Sequence, residues 1–241
     1  NIDADRIESM ITPQTTGIMP VHVFGIPCEV DKIQAIADRY GLRVIYDAAH
    51  AFCVELDGKG IGTFGDISML SFHATKLFHT VEGGALVYND KNLKQRIDLL
   101  KNFGIKNEEE VMMPGINGKM NEVQAAVGLV LLKFVEEERS KRESLIATYK
   151  ECLAGVPGIT FLPQPPNVKS NHQYMVIRIN EAEFGRSRDE VYNELREYNV
   201  FTRKYFYPLC SDYTCYKHLP SATDANLPVA RRVVQEVMSL P

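Results

Sequence analysis

The chain has 241 residues, 45% of them hydrophobic and 24% charged, enough to bury one substantial core and a second, smaller one. A formal net charge of -4 excludes nonspecific attraction to nucleic acid or to an anionic membrane surface, since both demand an excess of Lys and Arg. The five cysteines (Cys28, Cys53, Cys152, Cys210, Cys215) form no C-x-x-C pair or Cys/His metal spacing, no apolar run reaches membrane-span length and no leader pattern opens the chain, so a cytoplasmic protein with reduced thiols is expected.

Residues 17–25 (GIMPVHVFG) are apolar and bounded by glycines, which predicts a buried strand. Val30, Ile33, Ile36, Ala37 and Tyr40 then fall at helical spacing, Gly41 supplies a stop, and residues 42–46 (LRVIY) predict a second buried strand. Strand, helix and strand in this order predict a parallel pair, with Asp47 at the exit of the second strand. Residues 66–72 (DISMLSF) and 84–88 (GALVY) read as two more strands, separated by a loop holding Lys76, Glu82, Gly83 and Gly84. Asp90 is placed to cap a helix with Leu93, Ile97 and Leu100 on its apolar face, and the polar connection over residues 102–120 is of a length that favours a functional loop.

Val123, Ala126, Val127, Val130, Leu131, Phe134 and Val135 describe one long helix over residues 121–150, which the Gly- and Pro-rich stretch 155–166 ends. A strand over 174–179, a helix opened by the capping box Ser187-x-x-Glu190, a short strand over 200–204 and a final helix from Ala225 complete a small α+β lobe. The expected organisation is residues 1–120 as part of a large α/β domain, 121–150 as a connecting helix and 151–241 as a small C-terminal α+β domain. Asn1 begins inside polar, helix-like sequence without Met and Pro241 directly follows an apolar helix, so the chain reads as trimmed at both ends.

Ligands of open parallel sheets bind outside the carboxyl ends of the strands, so polar motifs leaving those ends are where a site is sought. Asp47-Ala48-Ala49-His50 is one such motif. Its carboxylate could bond a pyridinium nitrogen and keep it protonated, while the small alanines let a flat ring approach the backbone; alone, Asp47 reads first as a helix cap or turn carboxylate. Ser71-Phe72-His73-Ala74-Thr75-Lys76 is the second. Burial disfavours the ammonium form, so Lys76 could present the neutral amine that attack on a carbonyl carbon requires, and the Ser71 hydroxyl suits a phosphate oxygen. Alone, Lys76 is an ordinary surface-loop lysine. Together the motifs point to pyridoxal phosphate held by the lysine, with the acid on the ring nitrogen and Lys76, once displaced, moving a proton. His50, His73 and His79 lack metal-binding spacing, and Ser71, a histidine and Asp47 lack the G-x-S-x-G elbow of a hydrolase; no metal is expected.

Across its length the chain resembles the DegT/DnrJ/EryC1/StrS family of sugar aminotransferases, in NIDADRIESMITPQTTGIMPVHVFG, YDAAHAF, GDISMLSFHATK, EGGALV and GINGKMNEVQAAVG. IYDAAHAF with SFHATKLFHTVEGGA looks closest to the branch acting at C4 of dTDP-4-keto-6-deoxyglucose. The resemblance implies an α/β, fold-type-I aminotransferase architecture, a mixed, mainly parallel sheet flanked by helices plus a small α+β C-terminal domain. It implies pyridoxal 5′-phosphate as cofactor, Lys76 and Asp47 as the catalytic pair, and His50, Ser71 and Asn117 as further cofactor contacts, Asn117 being donated across a homodimer with shared active sites. The implied substrates are a nucleotide-linked keto-sugar and an amino-acid donor, glutamate, in the synthesis of deoxyamino sugars of lipopolysaccharide or O-antigen. Alternatives are a 3-keto sugar nucleotide or an inosose, or a non-catalytic member acting as an interaction protein, whose mark would be loss of Lys76 or Asp47.

Two departures from the family pattern stand out. Gly118 and Lys119 replace an aromatic residue and an arginine found in many relatives, and relatives carry, before the position of Asn1, a phosphate loop and a stacking aromatic that this sequence does not include. Lys119 is a candidate substrate contact, as are His172, Arg203 and Tyr205 of the small lobe, which read equally as surface and packing residues. Lys76 itself favours transamination, because a related branch that removes a C3 hydroxyl has histidine there.

Overall fold

A computed structural model describes residues 1–241. In chain order the elements are α1 (Ile7–Met10), β1 (Gly17–Ile18), α2 (Val30–Tyr40), β2 (Arg43–Asp47), β3 (Glu55–Leu56), β4 (Lys59–Gly60), β5 (Ile67–Ser71), β6 (Gly84–Tyr88), α3 (Leu93–Lys101), α4 (Glu122–Leu131), α5 (Val135–Cys152), β7 (Ile159–Phe161), β8 (Val168–Lys169), β9 (Met175–Ile179), α6 (Glu181–Phe184), α7 (Arg188–Glu197), α8 (Pro228–Glu236) and β10 (Val237–Leu240). They form two compact units, Asn1–Lys141 with Gln164–Gln173, and Arg142–Pro163 with Tyr174–Pro241.

The first unit is built on a sheet of order β1-β2-β5-β6. The β1/β2 and β2/β5 pairs are parallel and β5/β6 is antiparallel, the mixed, mainly parallel sheet expected. Helix α2 is the crossover: Val30, Ile33, Ile36 and Ala37 share one core with Val44 and Tyr46 of β2. It ends at Gly41, whose φ of 64° lets its N–H reach the Ala37 carbonyl, a left-handed cap that glycine adopts without strain. Strand β2 is half-buried rather than fully buried, with Val44 enclosed and Ile45 40% exposed.

The strand expected over residues 17–25 is cut to Gly17–Ile18. Pro20 has no N–H to give a ladder, and Phe24 and Gly25, at φ 57° and 77°, turn the chain left-handed. What remains is a single parallel bridge from Val21 to Asp47, in which Asp47 donates to the Pro20 carbonyl at 2.9 Å and accepts from the His22 N–H at 3.0 Å. That bridge fixes the Asp47 backbone where β2 ends.

A second sheet of this unit, β4-β3-β8, was not foreseen; it draws residues 168–169 onto β3 with Lys169 ion-paired to Glu55 at 2.8 Å. Asp90 does not cap α3: it accepts the Asn92 N–H at 2.9 Å in a tight turn, and the helix starts at Leu93 with no side-chain cap. The long helix expected over 121–150 is present as α4 and α5, joined by one 3₁₀ turn at Leu132–Phe134 and opened by a capping box between Asn121 and Gln124.

The second unit centres on an antiparallel sheet of order β10-β9-β7, with Ile146, Met175, Ile177, Ile179 and Met238 in its core. The capping box of α7 is as expected, Ser187 and Glu190 each bonding the other's N–H. Residues 200–204 do not form a strand; they touch the edge strand β10 through one bridge, Arg203 to Ser239, and then leave it. The last helix starts at Pro228, its fixed φ suiting the first helical turn, and the chain ends in strand β10 rather than in that helix.

Candidate active site

Because β2 and β5 are adjacent and parallel, the loops after them leave the same edge of the sheet. Asp47 stands opposite Met69, and the next residue, Ala48, donates to the Met69 carbonyl at 2.8 Å, so the carboxylate lies two residues short of the Ser71 end of β5. The loop beyond Ser71 is tightly closed: Phe72 donates to the Gly83 carbonyl at 2.8 Å, Thr80 to the Phe72 carbonyl at 2.9 Å and Lys76 to the His73 carbonyl at 2.9 Å. Its apolar anchors, Leu77 and Phe78, are buried. Phe78 stacks on Phe52 at 4.6 Å and meets Phe72 edge-on at 4.8 Å, and since Phe52 belongs to the loop after β2, the two loops pack as one.

Asp47, His50 and Lys76 share an electrostatic neighbourhood. Burial pushes the half-buried Lys76 amine below the ordinary lysine range, and the Asp47 carboxylate pulls it the other way. Burial drives His50 down to about 4, with the Lys76 charge adding to the fall and Asp47 opposing it. His50 Nδ1 accepts the Phe24 N–H at 3.1 Å, so the neutral ring carries its proton on Nε2; the Phe24 ring lies nearly parallel to it, 6.2 Å away. Asp47 Oδ1 accepts the Ala49 N–H at 2.9 Å, which fixes the orientation of the carboxylate.

A second imidazole, fully buried His22, is also held at about 4 by burial, its Nδ1 accepting the Cys28 N–H at 3.0 Å. Both folded values lie below the ordinary 6.5, so the unfolded chain binds protons that the folded chain refuses. The stability contributed by the two neutral rings is fully present above pH 6.5 and is lost as pH falls from there to about 4. Resistance to urea is expected to decline across that window, and NMR of the rings is expected to find neither titrating near 6.5. A ring that does titrate there would contradict the enclosed, neutral arrangement.

The remaining sequence candidates are placed differently. Ser71 is half-buried at the end of β5, its Oγ accepting the His73 N–H at 3.4 Å. Asn117 is exposed on the loop between α3 and α4, bridged to Asn102 and accepting a 2.7 Å hydrogen bond from Lys119, whose amine lies 4.3 Å over the Phe103 ring; neither residue bonds to Asp47, His50 or Lys76. His172 falls in the first unit, not in the small lobe expected for it, because the β8/β3 pairing carries its segment there. Arg203 and Tyr205 are in the second unit, Arg203 exposed and Tyr205 edge-on to Tyr174 at 6.0 Å. Phe24, Asn171 and Gln173, none of them a sequence candidate, bond to the His50 and Lys76 loops.

The sheet brings the Asp47 carboxylate and the Lys76 loop to the carboxyl ends of two neighbouring parallel strands, where open α/β sheets bind their ligands. The chain belongs to the DegT/DnrJ/EryC1/StrS aminotransferase family, which it matches over residues 1–241. It is 48% identical over 242 residues to the dTDP-4-amino-4,6-dideoxy-D-glucose transaminase of Escherichia coli, covering 100% of this chain and 65% of that protein, and 44% identical to the Shigella dysenteriae protein of the same name, covering 98% and 64%. It also matches the Bacillus subtilis spore coat polysaccharide biosynthesis protein SpsC at 32% identity, covering 100% and 65%. A crystal structure of DesI in the presence of its TDP-sugar product superposes with a TM-score of 0.92 at 38% identity, covering 100% of this chain and 60% of that one. The chain thus spans a little under two thirds of the curated relatives it matches.

Proposed function

We propose that this chain carries the active site of a pyridoxal-phosphate-dependent aminotransferase that moves an amine from glutamate to a nucleotide-linked keto-sugar, dTDP-4-keto-6-deoxyglucose, giving the 4-amino-4,6-dideoxy sugar. The observation that carries the reading is the half-buried Lys76 amine, of lowered basicity, in the field of Asp47, the carboxylate closing β2 and the amine on the loop that leaves its parallel neighbour β5. The names and identities of the Escherichia coli and Shigella relatives support the substrate.

The donor set fits the cofactor. Asp47 offers a carboxylate for a ring N–H, Lys76 an amine able to be neutral, Ser71 a hydroxyl for a phosphate oxygen, and His50 a flat, uncharged ring beside them. When bound, pyridoxal 5′-phosphate supplies a carbonyl carbon that exchanges amines and a ring that accepts the electron pair released at the substrate carbon. Asp47 would keep the ring nitrogen protonated, and Lys76 Nζ would hold the cofactor, release it to the incoming amine and then carry the proton between carbons. Neutral His50 adds no positive charge that would repel the ring N–H. Asn117 is read as a phosphate contact given across a homodimer with shared sites, its exposure leaving it accessible to a second subunit. Lys119, His172, Arg203 and Tyr205 are read as contacts to the sugar nucleotide. A cytoplasmic place in building lipopolysaccharide or O-antigen sugars belongs to the same reading, and one relative, SpsC, is named for the biosynthesis of another polysaccharide, that of the spore coat.

Full-length protein with added pyridoxal phosphate is expected to be yellow, to lose the band on borohydride treatment and to retain the reduced adduct on Lys76 in a peptide map. Offered glutamate and dTDP-4-keto-6-deoxyglucose, it is expected to form the amino-sugar nucleotide. Protein that stays colourless removes the cofactor reading, and reaction with a non-nucleotide ketone alone removes the sugar-nucleotide reading.

A further inference from the structure

His50 and Lys76 lie on different loops, and a third segment ties those loops together. Asn171 is fully buried. Its amide nitrogen donates to the carbonyl of His50 at 2.8 Å and of Phe52 at 2.9 Å, and its Oδ1 accepts the Gln173 N–H at 3.1 Å. Gln173, 8% exposed, accepts on Oε1 the N–H of Leu77 at 3.2 Å, the residue directly after Lys76. Gly25 packs closely against the joint, since a Cβ there would stand 2.9 Å from the His50 carbonyl oxygen and 3.2 Å from Asn171 Oδ1.

The chemistry of the joint is specific to these side chains. Asparagine alone among residues of its size offers two donors and an acceptor; aspartate would set a carboxylate against two carbonyls. Gln173 is more telling, because its Nε2 is buried with no hydrogen-bond partner. A leucine of similar volume would avoid that orphaned donor, so what glutamine adds at this place is the acceptor oxygen facing Leu77.

We propose that Asn171 and Gln173 are positioning residues of the active site, a buried clamp that sets the spacing between the His50 loop and the Lys76 loop. The inference rests on Lys76 being the cofactor-bearing amine and extends that reading to residues 95 or more positions downstream of it. The clamp acts on backbone atoms, through the His50 and Phe52 carbonyls and the Leu77 N–H, so it orients the His50 ring and the Lys76 amine through the loops that carry them.

The test compares full-length wild type with Gln173→Leu and Gln173→Glu, the second of which keeps an acceptor oxygen. Without cofactor, Leu77 amide hydrogen exchange is expected to accelerate about tenfold or more in Gln173→Leu and to be restored towards wild type in Gln173→Glu. With cofactor, Gln173→Leu is expected to move the pH midpoint of the visible band by about one unit and to lower kcat by about tenfold to a hundredfold while KM for both substrates changes by less than about twofold. Should Gln173→Leu fail to fold, Gln173→Met makes the same comparison. Faster exchange at Leu77 with an unmoved band and kcat would make the pair merely structural and overturn the proposal, as would no change in any readout. Failure of the wild type to fix label on Lys76 would instead strike the reading of the site itself, a result visible before any variant is made.

Discussion

Lys76→Ala in the full-length protein is expected to lower transamination by about ten-thousandfold. The proposed mechanism gives this one amine two duties, holding the cofactor and carrying the proton between carbons. His50 sits in the same neighbourhood, but its Nδ1 is committed to the Phe24 N–H and burial holds the ring at about 4, so it is a poor acceptor for that proton near neutrality. Lys76→Arg is expected to fail as badly, since a guanidinium is never neutral and cannot attack a carbonyl carbon. Both variants are expected to lose the borohydride-fixed label, and a small primary amine added to Lys76→Ala is expected to restore part of the turnover by doing the proton transfer from solution. The fold should tolerate the change, because burial already disfavours the ammonium form of Lys76. A Lys76→Ala protein with undiminished turnover would remove the lysine from the chemistry.

The parts of this site that were legible in the sequence are those encoded locally. Asp47 and Lys76 each follow an apolar run that reads as a strand, and strand ends are where parallel sheets hold ligands, so position and chemistry could be joined before any contact was known. Helix α2 was legible for a similar reason: five residues at helical spacing, Val30, Ile33, Ile36, Ala37 and Tyr40, and a glycine stop decide it within one stretch. Residues 17–25 misled because hydrophobicity outweighed Pro20 and the two left-handed residues that follow it. Strand β10 was hidden because it follows α8 with no turn residue between them. The clamp was out of reach altogether, since Asn171 meets His50 across 121 positions and Gln173 meets Leu77 across 96, distances at which no periodicity or motif carries information. The place of His172 in the first unit is hidden on the same account: the two-residue β8/β3 ladder that carries its segment there is too short to leave a pattern.

The second large effect is expected at Asp47, and its sign separates two explanations. Asp47→Asn keeps the shape of the side chain and an oxygen able to accept the Ala49 N–H that now lies 2.9 Å from Oδ1, so the turn after β2 should persist. What it removes is the negative charge proposed to hold the cofactor's ring nitrogen protonated, and the loss of one such preorganised group is expected to lower kcat by about a thousandfold. The same charge raises the basicity of Lys76 and of His50 against the pull of burial. Without it, both groups move further below their ordinary values, and Lys76 in cofactor-free protein should react faster with an amine-directed reagent at a given pH, not slower. An inactive Asp47→Asn enzyme with a more reactive Lys76 that still fixes label therefore cannot owe its defect to a protonated lysine; the missing function is the one at the ring nitrogen. If the variant instead lost its label and its Lys76 reactivity together, Asp47 would be acting through the loop geometry, and the pairing of carboxylate and amine would be a structural coincidence of two strand ends.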